Sequence, residues 1–456
     1  MKDNNANKLG SDRVGSLMVN FAIPSIIAML VSALYNIVDQ FFIGQAVGPL
    51  GNAATNIAFP LSMLCTALSL TFGIGGASCF NLAMGRGDTD KAGYYIGNSV
   101  TMLVSCGVVI SVIAELFLPL LLVMFGSPDD VFPYAMTYVR ITAIGFPFLL
   151  MTTGGGHLIR ADGSPRMSMM CNMSGAIINT ALDALFVLVF GWGMTGAAVA
   201  TITGQFVSGI IAILYMRNYK TVKLTKNMFI PRAVHLIQIT KLGIASCFNQ
   251  LSLMIVQISL NNSLKFYGAE STYGESIPIA CAGIIMKVGM LFFSVVIGIA
   301  QGSQPIVSFN YGARQYDRVR RAYKLAVISS GIISIAAFAT FQLIPELIIS
   351  LFGLNGKEAL EFGAKFFRIF MFFTCINFLQ PISATFFTSI GKAYKGMFLS
   401  LTRQFLFLLP LIFILPPFYG IDGLLFAAPT ADFMAFIVTI LMVVLEFRGM
   451  KKLESA

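Results

Sequence analysis

Run after run of about twenty apolar residues leaves this chain few folds to choose from. Each run can cross the hydrocarbon of a bilayer only as a helix, because every backbone N–H and C=O must be satisfied within the segment. Charged residues make up 11% of the chain, against about a quarter in a soluble domain. The fold class expected is therefore an all-α polytopic membrane protein of about twelve transmembrane helices. The fourth of them centres on about residue 146 and the tenth on about residue 374. Met1 to Ser16 is polar and shows no cleavage site, so the first helix is expected to serve as its own insertion signal.

A net charge of +10 would suggest an acidic partner in a soluble protein. Here 23 of the 30 Lys and Arg residues fall at the two ends of the chain and in alternate connections: among them Lys2, Arg13, Arg86, Arg166, the stretch Arg217 to Lys241, Arg314 to Lys324, Lys395 and Lys451. The opposite side offers mainly Lys265 and Lys357, with Asp129, Asp130, Glu270, Glu275 and Glu358. This asymmetry is a topology signal that puts both termini in the cytoplasm of a cell-membrane protein, and no nucleic-acid partner is expected. The seven cysteines lie in apolar segments without metal spacing, and no phosphate-binding glycine loop or HExxH is present. No enzyme activity, metal or organic cofactor is expected, so any energy source would be an ion gradient, of protons or sodium.

The chain repeats itself. Gly85 and Gly312 stand 227 residues apart, as do Gly193-Met-Thr-Gly196 and Gly420-Ile-Asp-Gly423. Two six-helix halves follow, residues 1–220 and 221–456, joined by a connection over 221–241. Parallel repeats of this kind place a substrate path between the lobes.

Asp39 interrupts the first apolar run, and a carboxylate there costs roughly 2.5 to 3.5 kcal/mol on insertion scales unless it faces protein or a wet cavity. Ser25, Ser32, Asn36 and Asp39 share one helical stripe, and Asn172, Asn179 and Asp183 form another on the fifth run. The two acids are expected at similar depth, either as a proton or cation site or as hydrogen-bonding glue. Gln250, Gln257 and Asn261 form a third stripe, read with Asn36 as lining a substrate cavity or as helix-to-helix contacts. Lys287, Arg403 and Asp432 are read as structural partners within the second half, in preference to direct contacts with substrate.

Pro24 with Tyr35-Asn36-Ile37-Val38-Asp39 and Ile43-Gly44, then Arg160-Ala161-Asp162-Gly163-Ser164-Pro165, then Asn179 with Asp183 and Gly193-Met-Thr-Gly196, resemble the multidrug and toxic compound extrusion (MATE) family. The resemblance covers nearly the whole chain and is greatest to the prokaryotic branch that keeps its coupling acids in the N-terminal lobe. It implies a multidrug efflux antiporter that exports xenobiotics or organic cations against protons or sodium by alternating access. It also implies that Asp39, Asn179 and Asp183 form the coupling-ion site, with Thr201 an addition and Pro24 a bend in the first helix. His157 stands close to where relatives carry Asn, either as a further member of that site or as a packing residue. The partners implied are a small-molecule xenobiotic and the lipid bilayer. The oligomeric state is left open, and a monomer suffices. A flippase for a lipid-linked precursor is the alternative.

Overall fold

The computed structural model describes residues 4–274, 276–352 and 356–455; Lys2 and Glu275 lie outside the described residues. A short helix α1 (Asn4–Ser11) precedes α2 (Val14–Val47), α3 (Pro49–Gly85), α4 (Thr89–Met124), α5 (Phe132–Ala143), α6 (Phe146–Ala161), α7 (Pro165–Asp183) and α8 (Gly193–Arg217). The second half comprises α9 (Ala233–Ala269), α10 (Ser276–Gly312), α11 (Tyr316–Leu343), α12 (Pro345–Leu351), α13 (Lys357–Phe370), α14 (Thr374–Asn377), α15 (Leu379–Ser389), α16 (Ala393–Leu401), α17 (Leu409–Ile414), α18 (Pro416–Tyr419) and α19 (Ile421–Ser455). Among the described residues, 11 helices are long and apolar enough to cross a membrane, and 12 if the bent pair α5–α6 counts as one span.

The fourth span is thus not a simple rod. It breaks between Ala143 and Phe146 with a bend of 59°. Gly145 and Pro147 explain the break, since proline removes a backbone donor and disfavours helical geometry before it. The tenth span is interrupted in the corresponding place, between Phe370 and Thr374. Gly193 and Gly420, matched by the repeat, both hold positive φ, at 55° and 59°. Each turns the chain into the last span of its half, in a region that side chains with a Cβ rarely enter.

Two buried cores divide the molecule. One gathers residues from Ile43 to Val222, joined by Ile239, Leu242 and Ala393. The other gathers residues from Val256 to Met450, joined by Leu9, Val14, Leu17, Met18, Phe21 and Ala22. Each half therefore lends the start of its first helix to the core of the other. We call the end of the molecule where this exchange occurs the basic face, and the opposite end the far face.

At the basic face the lobes meet along glycines. A Cβ on Gly243 of α9 would fall 1.8 Å from the Thr71 carbonyl oxygen of α3, and one on Gly75 would fall 2.1 Å from that of Ile239. Gly298 and Gly302 of α10 approach the α2 backbone at Ile26 and Ala22 equally tightly, each 2.6 Å from a Cα. The repeat-matched Gly85 and Gly312 touch one another. Lipid tails give no hydrophobic drive for helices to associate, so small residues that admit backbone contact are what hold such a seam.

Two straps reinforce it. Arg318 of α11 donates to the carbonyls of Leu9 and Asp12, at 2.9 and 2.7 Å. Asn310 of α10 adds a bond to Leu9 at 2.9 Å. In the mirror arrangement, Asn98 of α4 donates to Met228 and Ile230 at 3.0 and 3.3 Å and accepts from the Arg232 N–H at 2.7 Å. The connection between the halves is therefore docked backbone. Its start is held by Asp162, which accepts from Tyr215, from the Lys220 N–H and from both the N–H and hydroxyl of Thr221, at 2.6 to 2.9 Å. Burial pushes the Asp162 carboxyl up from the ordinary carboxylate range, and these bonds pull against it. Lys223 and Lys226, by contrast, are exposed. Replacing both with Ala is expected to leave export within about twofold of wild type, as for other unpaired surface charges. A transport assay on correctly inserted protein checks this, and loss of export would give these lysines a role beyond the docked backbone.

Candidate functional site

Asp39 lies on α2 and Asp183 closes α7, and both are buried. Their carboxyls face each other within hydrogen-bonding reach. Asn179, one turn back from Asp183, donates to the Thr201 hydroxyl of α8 at 3.4 Å. Oδ1 of Asp39, Oδ1 of Asn179 and both oxygens of Asp183 are buried without a hydrogen-bond donor among the described residues. Two carboxylates in contact cannot both stay ionised in such a place without a proton or a cation between them. The set of carboxylate, amide and hydroxyl oxygens is what a hard monovalent cation or a shared proton requires.

Sequence reasoning gave no role to Tyr35 of α2 and Tyr138 of α5. Both side chains lie close to Thr201 and the two acids. The chain leaves Asp183 directly into a π-helical stretch, Ala184–Val189, and the second half repeats this at Thr402–Leu408. Such wide turns free backbone carbonyls and are frequent at functional sites.

His157 is elsewhere. It sits one turn from the end of α6, near the basic face, whereas Asp183 lies eighteen residues into α7, so the two are about 20 Å apart in depth. The His157 ring meets the buried Arg160 guanidinium at 3.0 Å and lies near the Gln304 side chain of α10. Gln304 in turn donates to the Ile74 carbonyl and the Ser78 hydroxyl of α3, at 3.3 and 2.9 Å. The structure thus places His157 in the seam between lobes. Pro24 is buried inside α2, which runs as one helix from Val14 to Val47.

Towards the far face the lobes part. A Cβ on Gly283 of α10 would meet nothing within 4 Å, unlike Gly298 and Gly302 below it. Asn36, Gln257 and Asn261 are exposed there, each on a helix that crosses the membrane. Gln250 is half-buried and contacts the Met63 sulfur of α3 at 4.0 Å, near where α3 and α9 still touch. Arg403 and Asp432 form a buried ion pair at 2.5 Å, and Asn377 donates to the same carboxylate at 3.0 Å. Lys287 departs from the structural-partner reading: no carboxylate among the described residues stands within 4.0 Å of it.

A polar pair sealed in one lobe, beside a cleft closed at one face and open at the other, now has relatives to be set against. The MatE family model matches residues 24–185 and 268–414, more than half of the chain. The chain belongs to the MATE family. Among curated proteins, this MATE protein is 21% identical to the multidrug export protein MepA of Staphylococcus aureus (strain NCTC 8325 / PS 47) over 446 residues, covering 98% of this chain and 97% of MepA. The Staphylococcus haemolyticus (strain JCSC1435) MepA is also 21% identical, over 433 residues, covering 95% of this chain and 94% of that one. Among solved structures, one described as the outward-facing conformation of a multidrug resistance MATE family transporter of the MOP superfamily superposes with a TM-score of 0.91. It is 22% identical and covers 99% of this chain and 100% of its own. A MOP superfamily transporter from Pyrococcus furiosus Vc1 (DSM3638) gives the same TM-score, 0.91, at 22% identity, covering 99% of this chain and 100% of its own. The family likeness and the twelve-span architecture together make this a multi-pass membrane transporter of the MATE family.

Proposed function

We propose that the protein is a secondary exporter of xenobiotics, driven by inward flow of protons or sodium and working by alternating access. The observation that carries this is the Asp39–Asp183 pair, sealed within one lobe at the level where the cleft opens. An ion bound between these acids changes how α2, α7 and α8 pack, and α2 is also the helix that seals the basic face through Gly298 and Gly302. Ion and substrate thereby bias one shared equilibrium. We place both termini in the cytoplasm on the strength of the basic bias, which makes the present conformation open to the outside. The multidrug-export names of the MepA relatives favour this reading over the flippase.

Inverted membrane vesicles test it. With a proton or a sodium gradient imposed separately, one of the two is expected to drive accumulation of ethidium or norfloxacin, and collapse of that gradient to release it. Movement of neither compound under either gradient would overturn the proposal.

A further inference from the structure

Lys287 lies in the first third of α10, eleven residues from its start at Ser276, about 16 Å into the helix. Gly298, eleven residues further on, is turned only about 20° from it around the helix, and Gly298 is a residue that touches α2. Lys287 therefore faces α2.

The two helices run antiparallel, with Gly298 against Ile26 and Gly302 against Ala22. Continued outward, that register brings Lys287 level with Ile37, between Asn36 and Asp39. Asp39 itself is turned the other way, into its own lobe towards Asp183. What α2 offers on the side of Lys287 is Asn36 and Gln40, both exposed.

The charge balance of the cleft follows. The lobes meet through α2, α3, α9 and α10. Apart from Lys241 and Lys265, eight and four residues from the ends of α9, these four helices carry one acid and one lysine: Asp39, hidden from the cleft, and Lys287, half-buried and without a carboxylate partner among the described residues. An unpaired ammonium on the face that α10 turns towards α2 is retained where a water-filled cavity or a ligand receives it. The fixed charge presented to a substrate is positive, set among neutral amides.

We propose that Lys287 is a substrate-recognition residue, and that the compounds carried bear a single acidic group, a carboxylate or sulfonate, on an apolar body. One lysine suits one anionic group as a point charge, and Asn36 and Gln257 add neutral hydrogen-bonding groups beside it. This rests on the export reading above, and it narrows the substrate from any lipophilic cation to zwitterions and organic acids.

Binding to purified wild-type protein, with no gradient, separates the two ideas. The probes are norfloxacin, its methyl ester and ethidium. Norfloxacin is expected to bind about tenfold more tightly than its ester, as for one partly desolvated charge pair. Lys287→Met should erase that ratio and strengthen ethidium binding, and Lys287→Arg should restore the ratio. An acid-to-ester ratio that Lys287→Met leaves unchanged would overturn the assignment while leaving the export reading intact. Failure of all three probes to bind would remove the export reading, and this assignment with it.

Discussion

Asp39→Asn and Asp183→Asn are each expected to abolish uphill export while leaving the protein inserted and folded. Asparagine keeps the shape and hydrogen-bonding capacity of the carboxyl, so the packing between α2 and α7 survives. It cannot gain or lose a proton, and it cannot balance a bound cation with charge. Coupling between two ligands that share one conformational equilibrium is typically about 1–3 kcal/mol, or 5- to 150-fold in affinity. That coupling is what either substitution removes. Accumulation against a gradient in inverted vesicles should fall to the level of empty vesicles. Binding of norfloxacin to the unenergised protein should persist, because Lys287 and the amides of the cleft are untouched. If both single variants pump like wild type, the carboxyls are only helix-to-helix contacts and the coupling lies elsewhere.

The convergence behind that expectation was legible in the sequence because a helix spaces its faces predictably. Asp39 ends one polar stripe and Asp183 another, and polar residues in a membrane helix turn away from lipid. The stripes could not show which neighbours close the site. Tyr35 and Tyr138 look like ordinary apolar-helix residues in a chain with 41 Phe and 14 Tyr, and only packing brings them close to Thr201. Motif likeness leaves His157 either in the ion site or as a packing residue, and its place one turn from a helix end, at a depth where the acids are not, fits the packing reading.

Gln250, Gln257 and Asn261 show a second limit. Periodicity puts them on one face of α9, and they do share it. The neighbour α3, however, is in backbone contact with α9 at Gly243, whereas Gln257, about four turns further along α9, is exposed. One stripe therefore passes from a helix contact into an open cleft. Likewise, Arg403 and Asp432 found each other within their lobe, whereas Lys287, of similar appearance in the sequence, did not. Whether a buried charge is paired depends on where two helices diverge, and the spacing of a single helix carries no record of that.

That divergence begins at the glycine seam, and Gly243→Val is expected to destroy function there by a route separate from the acids. The added Cβ would sit 1.8 Å from the Thr71 carbonyl oxygen, against backbone that no rotamer change can move. Overpacking in a well-filled interior typically costs about 1–3 kcal/mol. In a two-state transporter the strain falls on the conformation that closes the basic face, and about 3 kcal/mol shifts such an equilibrium by roughly a hundredfold. Export should be lost because the cleft can no longer seal on that side. Ser78, buried in the seam and bonded to Gln304, reports the change. In a cysteine-free background, Ser78→Cys should resist a membrane-permeant maleimide. With Gly243→Val added, it should label at least about ten times faster. Gly449→Val, where a Cβ meets nothing within 4 Å, should alter neither export nor labelling. Export at the wild-type rate by Gly243→Val, with Ser78→Cys still protected, would mean that the seam does not have to close as tightly as this for the protein to work.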